Sequence, residues 1–519
     1  MASGKLTQIP SPPAFGRQAS GLLLLIAAIV VIVVNLPNHV WDVADTALIV
    51  SLGPLAAWRY GWWFIHLVRA NIYARLVFPK LRKRSDSLWS SGWRPPFVHF
   101  MVPTFKERPE ITEAVLESIF AECRAAGVRA RIFIATGDVS DERVIEGYCS
   151  HVSDVPAEVI IVRQNQPGKR MAMGVALRAM SRYGVGPNDL AVFMDGDSIL
   201  GNRILERCAP LFSLNPKLGA VTTDESAIVN GPGWMQAWHD LRFAQRRLAM
   251  QSHSLSRKVL TLTGRLSIFR AALVVEEDFI RTVEADHLDH WLWGRFRFLS
   301  GDDKSTWYSL LKTGYEMLYV PDASVLTIES IGDRPYERVQ QNLMRWSGNM
   351  LRNGSRALAL GPRRCGFFIW WCVLDQRLSI WTSLSGLTMA LALSLVTSFR
   401  ALLAYLVWVL LTRTLVSIVL YFYAGRVYPS FPFLLYSNQV TASAIKVYLL
   451  FRVSKQRWLN RGDQRAKAAA GRLLSFQNAM AAFLTTFYVG LFVFLACAKA
   501  GVAGLNDFYT AWVGWLPMR

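Results

Sequence analysis

Three short clusters in this chain hold residue types that could handle a diphosphate and a proton. Asp195-Gly196-Asp197 follows the apolar run Ala191-Val192-Phe193-Met194. That pattern predicts a buried strand ending in two carboxylates. Carboxylates are the oxygen ligands that a hard cation such as Mg²⁺ takes, with substrate phosphates completing its shell. At the C-terminal end of a parallel strand they face the crevice where α/β sheets bind ligands. Surface turns carry Asp-x-Asp as well, so the pair gains meaning only from its companions. Gly168-Lys169-Arg170 opens a predicted helix, where glycine and two cations suit a diphosphate or simply cap a surface helix. Gly301-Asp302-Asp303 follows Arg297-Phe298-Leu299-Ser300. A carboxylate there could take a proton from an attacking hydroxyl, or could cap the next helix. A fourth cluster, Gln341-Asn342-Leu343-Met344-Arg345-Trp346, sits on a predicted helix near an apolar stretch. Its Trp could anchor at an interface or stack on a sugar, and its Arg could pair with phosphate. No Ser/His or Cys/His arrangement for covalent catalysis stands out.

The elements that must position these groups can be read from patterning. Strands are predicted at Phe97–Pro103, Arg131–Thr136, Ala157–Arg163 and Leu190–Met194, with helical periodicity over 110–125. Strands alternating with helices predict a parallel sheet with right-handed crossovers. This soluble composition spans residues 69–360 only. Apolar runs at 20–35, 46–68, 379–397, 401–424, 430–451 and 474–499 are each roughly the length of a spanning helix. The first run has no small-residue cleavage site and a second follows quickly, so a cleavable signal is not expected. With 519 residues and 19 Trp, and a mean hydropathy of +0.24, the chain is too apolar for one soluble domain. Arg69, Arg75, Lys80, Arg82, Lys83 and Arg84 flank the soluble part on one side, and Arg352, Arg356, Arg363 and Arg364 on the other. By the positive-inside rule that part is expected in the cytoplasm. The net charge of +20 then reflects flanks near anionic lipid and a site for an anionic substrate. No nucleic-acid module is visible. The six Cys lack C-x-x-C spacing, which predicts reduced core thiols.

In this order, between apolar clusters, the motifs resemble the processive membrane glycosyltransferases of family 2, which include cellulose, chitin, hyaluronan and alginate synthases. Within that family the chain looks most like the bacterial alginate polymerase subunits. Arg242-Phe243-Ala244-Gln245-Arg246, Leu260-Thr261-Leu262-Thr263-Gly264-Arg265 and Gly301-Asp302-Asp303-Lys304-Ser305-Thr306-Trp307 carry that likeness. The resemblance implies a GT-A nucleotide-sugar-binding α/β domain with a parallel sheet, inserted between transmembrane helices of a multi-pass protein. Asp195 and Asp197 would hold Mg²⁺ or Mn²⁺. Thr104, Glu107, Asp138, Lys169, Arg170 and Asp195 would bind the donor nucleotide. Asp303 would be the base beside Asp302, and Arg345 and Trp346 would complete the catalytic set. Thr263, Gly264 and Arg265, with Trp346, would line the acceptor sugar. Phe451-Arg452-Val453-Ser454-Lys455-Gln456-Arg457-Trp458 resembles a gating loop, whose Lys455, Arg457 and Trp458 would close over the nucleotide. Two departures stand out. Asn342 occupies the place of the family's Gln before Arg-Trp, with Gln341 one place early. The second strand ends in Thr136-Gly137-Asp138 where an Asp-Asp-Gly that holds uracil is usual.

The expected organisation is a cytoplasmic tail (1–19), two transmembrane helices (20–68), the GT-A domain (69–350) and interfacial helices (351–378). Channel helices (379–451), the gating-type loop (452–473), a last transmembrane helix (474–499) and a tail (500–519) follow. Ser417, Asn438 and Thr441 are polar groups that could face a polymer or another helix. The expected reaction is inverting polymerisation of GDP-mannuronic acid at a bacterial inner membrane, the product leaving through the protein's own helices. A glucan synthase using UDP-glucose, a non-processive lipid-linked glycosyltransferase and a transporter with an inactive domain are the alternatives. Resemblance also implies partners: a growing polysaccharide, membrane lipid, a cyclic-di-GMP-binding co-polymerase of the PilZ type and an export apparatus, but no nucleic acid.

Overall fold

Alternation of buried apolar strands with amphipathic helices builds an eight-stranded sheet in the computed structural model of the protein. The structure describes residues 15–35, 46–152, 156–332, 334–458, 464–465 and 472–500. The expected tails at 1–19 and 500–519 fall largely outside these residues. The chain forms two compact units. One consists mainly of Val68–Val373 with the segment from Ser454; the other contains the helices before Leu67, the segment Leu374–Val453 and the last helix.

In the first unit the strands are β1 (Val98–Pro103), β2 (Ala130–Thr136), β3 (Ala157–Arg163), β4 (Leu190–Met194), β5 (Ser198–Leu200), β6 (Leu218–Asn230) and β7 (Leu266–Arg270). A separate hairpin, β8 (His287–His290) and β9 (Gly294–Arg297), precedes β10 (Glu316–Ser330). The sheet order is β3-β2-β1-β4-β7-β6-β10-β5. Strands β1 and β4 are buried along their whole length. That is why Val-His-Phe-Met-Val-Pro and Leu-Ala-Val-Phe-Met read as continuous apolar runs, as covered parallel strands do. Phe100, Val102, Ile132, Ile134, Val192 and Met194 share one core with Ile119 and Phe120 of the helix Pro109–Ala126. Each such side chain stabilises the fold by roughly 1.5–3 kcal/mol on burial.

The strand edges expected from patterning agree with β1 to β4 within one residue. The expected parallel sheet is present as a parallel-rich one. Strands β3-β2-β1-β4 form one parallel block and β6 pairs in parallel with β10, while β7 runs antiparallel to both β4 and β6, and β5 antiparallel to β10. From β6 the chain reaches β7 through the helix Gly233–Ser254 and a loop ending at Gly264-Arg265.

This topology gathers the motifs. β4 runs directly into Asp195, and its parallel neighbour β1 ends at Pro103-Thr104 beside it. Gly196 lies so close to β1 that a Cβ there would sit 2.8 Å from the Pro103 carbonyl oxygen. Lys169 is the first residue of the helix Lys169–Tyr183, and Asp302 the first of the helix Asp302–Thr313. Arg345 and Trp346 lie on the long helix Pro335–Cys365, which packs on Asp302–Thr313 and breaks at Gly361-Pro362. The boundaries expected at 350/351 and 378/379 both fall inside helices, the second inside Phe367–Val396.

In the second unit, Arg400–Ala424 packs against Phe15–Asn35 and Phe431–Leu450. Among the described residues, three helices are long and apolar enough to cross a membrane: Phe367–Val396, Arg400–Ala424 and Arg472–Lys499; Ser20–Asn35 is a shorter apolar helix. Phe431–Leu450 carries Ser437, Asn438, Gln439 and Lys446 and is not among them. The Ser417 hydroxyl donates to the Arg413 carbonyl of its own helix at 2.8 Å. Arg59 and Asp375 form an ion pair at 2.6 Å.

Candidate active site

Lys169 sits at the centre of the motif cluster. Its Nζ lies 2.6 Å from Asp195 Oδ1 and 2.8 Å from Asp302 Oδ2, so the three clusters singled out in the sequence touch through one ammonium. Burial works against the lysine's charge, yet Asp195 and Asp302 outweigh it and raise its pKa. Leaving either carboxylate without this partner would cost about 3–5 kcal/mol, as for other broken buried pairs. Gly264 covers the group: a Cβ there would meet Lys169 Nζ at 3.2 Å and oxygens of Asp195 and Asp302 at 3.6 Å. Thr263, Ser267, Asp303 and Thr306 line the same small cavity with Lys169 and Asp195.

The two adjacent carboxylates differ in environment. Burial works against ionised Asp302, but Lys169 and Arg170 hold its pKa below the ordinary carboxylate value. For Asp303, burial and the neighbouring Asp302 push the pKa up, against Lys304 and Lys169. Thr261 Oγ1 donates to Asp303 Oδ2 at 3.3 Å. Lys304 Nζ donates to the Leu260 carbonyl, which ties the Thr261 loop to this helix, and burial brings its pKa down to about 8. Pairs of titratable groups pushed apart in this way mark acid–base assignments.

Other expected site residues are placed as follows. Thr104 is buried at the end of β1 beside Gly196, and its hydroxyl has no hydrogen-bond partner among the described residues. Glu107 and Asp197 are half-buried in their loops. Asp138 caps the helix Val139–His151, accepting from Ser140 N at 2.8 Å and Ser140 Oγ at 2.6 Å. Arg170 faces the interior, not the cavity. It donates to the Val283 carbonyl (2.8 Å), the Ser300 carbonyl (3.2 Å) and Ser305 Oγ (2.8 Å), which makes it a clamp under Gly301-Asp302. Arg265 is matched by Glu225 at 3.2 Å and Glu329 at 2.6 Å. Burial works against its charge, but those carboxylates, with Asp197 and Asp195, raise its pKa. Thr263 accepts from Arg265 N at 3.2 Å and so shapes the Gly264 turn.

The Arg345 guanidinium is half-buried and lies in the field of Asp303, Asp302 and Asp195; burial and Arg338 nonetheless lower its pKa. Trp346 stacks on Trp238, with centroids 5.8 Å apart and planes at 15°. Lys455 is exposed, and the side chains of Arg457 and Trp458 lie outside the described residues. The loop bearing them is nonetheless fixed to the site. Buried Gln456 accepts from Leu299 N at 3.0 Å and donates to the Arg297 carbonyl at 2.9 Å, just before Gly301-Asp302-Asp303.

A family model described as "Glycosyltransferase like family 2" matches residues 95–349. "Glycosyltransferase alg8" of Pseudomonas syringae pv. tomato is 36% identical over 477 residues, covering 91% of this chain and 96% of that protein. The chain belongs to glycosyltransferase family 2. "Glycosyltransferase alg8" of Azotobacter vinelandii is similar at 35% over 483 residues, with 92% of this chain and 97% of that protein covered. An "N-acetylglucosaminyltransferase" of Bradyrhizobium diazoefficiens is 25% identical over 312 residues, with 57% and 58% covered. This family-2 enzyme is therefore a glycosyltransferase of the alginate polymerase type, and its parallel-rich sheet with motifs at the strand ends is the GT-A fold.

Sequence reasoning missed several residues that shape this family-2 site. Asn349 accepts from Ser300 Oγ at 3.1 Å and from Arg352 Nη2 at 2.5 Å. It presses on Gly301, whose φ of 86° is left-handed and whose added Cβ would lie 2.7 Å from the Asn349 side chain. The Asn349-x-x-Arg352 spacing on a buried helix face was the available signal. Thr261, Gln456, Trp238 and Glu225 were likewise given no role.

Proposed function

We propose that this glycosyltransferase is processive and inverting, and that it polymerises GDP-mannuronic acid into a β-linked chain passed through its own membrane helices. The observation that supports the reading is Lys169 bridging Asp195 and Asp302: the cation proposed for the diphosphate, the Asp-x-Asp turn and the helix proposed to bear the base meet at one cavity. The acceptor hydroxyl would give its proton to Asp303 as its oxygen bonds to the anomeric carbon and the carbon–phosphate oxygen bond breaks, releasing GDP. The raised pKa of Asp303 suits a base, because proton transfer is favoured as the base's pKa nears the working pH. Lys169 and Arg345 would hold the diphosphate. Asp195 and Asp197 give an all-oxygen donor set on one turn, which fits Mg²⁺ or Mn²⁺. Such an ion would offset charge on the leaving nucleotide.

The likeness to the alginate polymerase subunits supports a uronate donor, and the absence of Asp-Asp-Gly after β2 supports a base other than uracil. The basic loop after Arg452 follows two of the three long apolar helices, the parity required if it shares the cytoplasm with the catalytic domain. A bacterial inner-membrane location, a cyclic-di-GMP-binding co-polymerase and an export apparatus complete the reading. A β-glucan synthase using UDP-glucose is the second reading. It draws on the weaker match to N-acetylglucosaminyltransferases, whose sugar is uncharged. Asp303→Asn tests the chemistry. Polymer formation should disappear while the nucleotide-sugar still binds, and sustained polymerisation by this variant would refute the assignment.

A further inference from the structure

The helix Gly233–Ser254 presents Trp238, Arg242 and Arg246 at intervals of four residues, so the three share a face. The Arg242 guanidinium carbon lies 4.0 Å from the Trp346 ring centroid and 5.0 Å from that of Trp238. Arginines around it are matched by carboxylates. Arg246 meets Glu225 at 3.2 Å, Arg247 meets Asp224 at 2.9 Å, and Arg265 meets Glu225 and Glu329. Arg242 alone of this group makes no ion pair or hydrogen bond among the described residues. Burial and the Arg265 cation bring its pKa down to about 10, so it stays charged at neutral pH while its charge is under-compensated.

We propose that Arg242, over the paired indoles of Trp238 and Trp346, receives the carboxylate of a uronic-acid unit in the acceptor chain. The proposal rests on the reading of Trp346 as the acceptor's neighbour. A guanidinium over an aromatic face keeps its five N–H donors at the rim, in a fork that matches a carboxylate. The half-buried Trp346 indole, backed by buried Trp238, meets the apolar face of a sugar ring, and the fork meets its C6 carboxylate. A neutral hexose offers no anion and would leave the half-buried cation unmatched, so the same residues select against it. Arg345, next in the chain to Trp346, lies in the field of Asp302 and Asp303, so this subsite adjoins the helix that bears the base.

The test uses the full chain in lipid nanodiscs, titrated with a mannuronate tetrasaccharide and with the same tetrasaccharide after reduction of its carboxyls to alcohols. Calorimetry and tryptophan fluorescence report binding. The native protein should prefer the uronate, and Arg242→Gln should lose roughly 10- to 100-fold in uronate affinity, the size of a charge-assisted hydrogen bond, with neutral binding unchanged. Arg242→Lys, which keeps the charge but not the fork, should retain part of the preference. An undiminished uronate preference in Arg242→Gln would overturn the proposal; should that variant not fold, an undiminished preference in Arg242→Lys would do so. Trp346→Ala separates the two readings. It should weaken both ligands, and unchanged affinity for both would overturn the acceptor reading and the proposal with it.

Discussion

Gly301→Ala probes how the base is held. Gly301 has a φ of 86°, and a Cβ there would fall 2.7 Å from the Asn349 side chain. The left-handed conformation costs alanine roughly 1–2 kcal/mol. Asn349 cannot swing aside freely, because it is buried and tied to Ser300 Oγ and Arg352. Displacing it forfeits one neutral and one charge-assisted hydrogen bond, about 2–4 kcal/mol together. The expected loss of stability is therefore roughly 3–6 kcal/mol, or an equivalent shift of the helix that starts at Asp302. A misplacement of about 1 Å costs on the order of 100-fold in rate, so nucleotide release should fall at least that much in any folded fraction. A double-mutant cycle isolates the contact. Asn349→Ala alone should cost about 2–4 kcal/mol, and adding Gly301→Ala should then cost only the 1–2 kcal/mol of backbone strain. Denaturant unfolding and initial-rate assays read both effects. Full additivity, or a Gly301→Ala variant with native stability and turnover, would refute this account of the loop.

Three further outcomes follow from the same geometry. Ionised Asp303 is the working form, and its raised pKa places the acid limb of kcat/KM above the ordinary carboxylate value. Asp302 is one cause of that rise, so in Asp302→Asn the residual activity should have its acid limb at lower pH; movement to higher pH would contradict the coupling. Gln456→Ala removes both bonds to the strand before Gly301. Amide exchange at Leu299 should quicken about tenfold or more, for a loss of about 1.4 kcal/mol, and unchanged exchange would argue against the anchor. Chelation of divalent ions should stop nucleotide release, and Asp197→Asn should raise the metal concentration needed for half-maximal rate; a rate indifferent to chelator would remove the ion from the account.

Local patterns were enough to locate β1 to β4, because each is an apolar run bounded by turn residues; β1, β2 and β4 are also buried, whereas β3 is a partly exposed edge strand. Antiparallel β7 was not legible, since Leu266–Arg270 is short and its direction depends on how a distant loop returns. Strands β6 and β10 were missed for another reason: their polar residues Thr222, Thr223, Glu225 and Thr327 are buried by tertiary pairing rather than by pattern. Within the site, the motifs named Lys169, Asp195, Asp302 and Asp303, whose types and spacing are local. Arg170 and Arg265 read as ligand-binding cations, but the structure engages both with protein groups. Sequence adjacency could not separate Lys169 from Arg170, although neighbours on a helix point about 100° apart. Asn349 and Gln456 act by filling and bonding across long sequence separations, which no single-chain pattern encodes.

The most direct test offers donors to membranes containing the full chain, with Mg²⁺ or Mn²⁺ and with cyclic-di-GMP and the co-polymerase supplied. Parallel reactions would receive GDP-mannuronic acid or UDP-glucose, and released nucleotide and polymer would be measured. The account predicts GDP release with a polymer cut by alginate lyase. UDP release with a polymer cut by glucanase would contradict the uronate donor and the carboxylate role of Arg242.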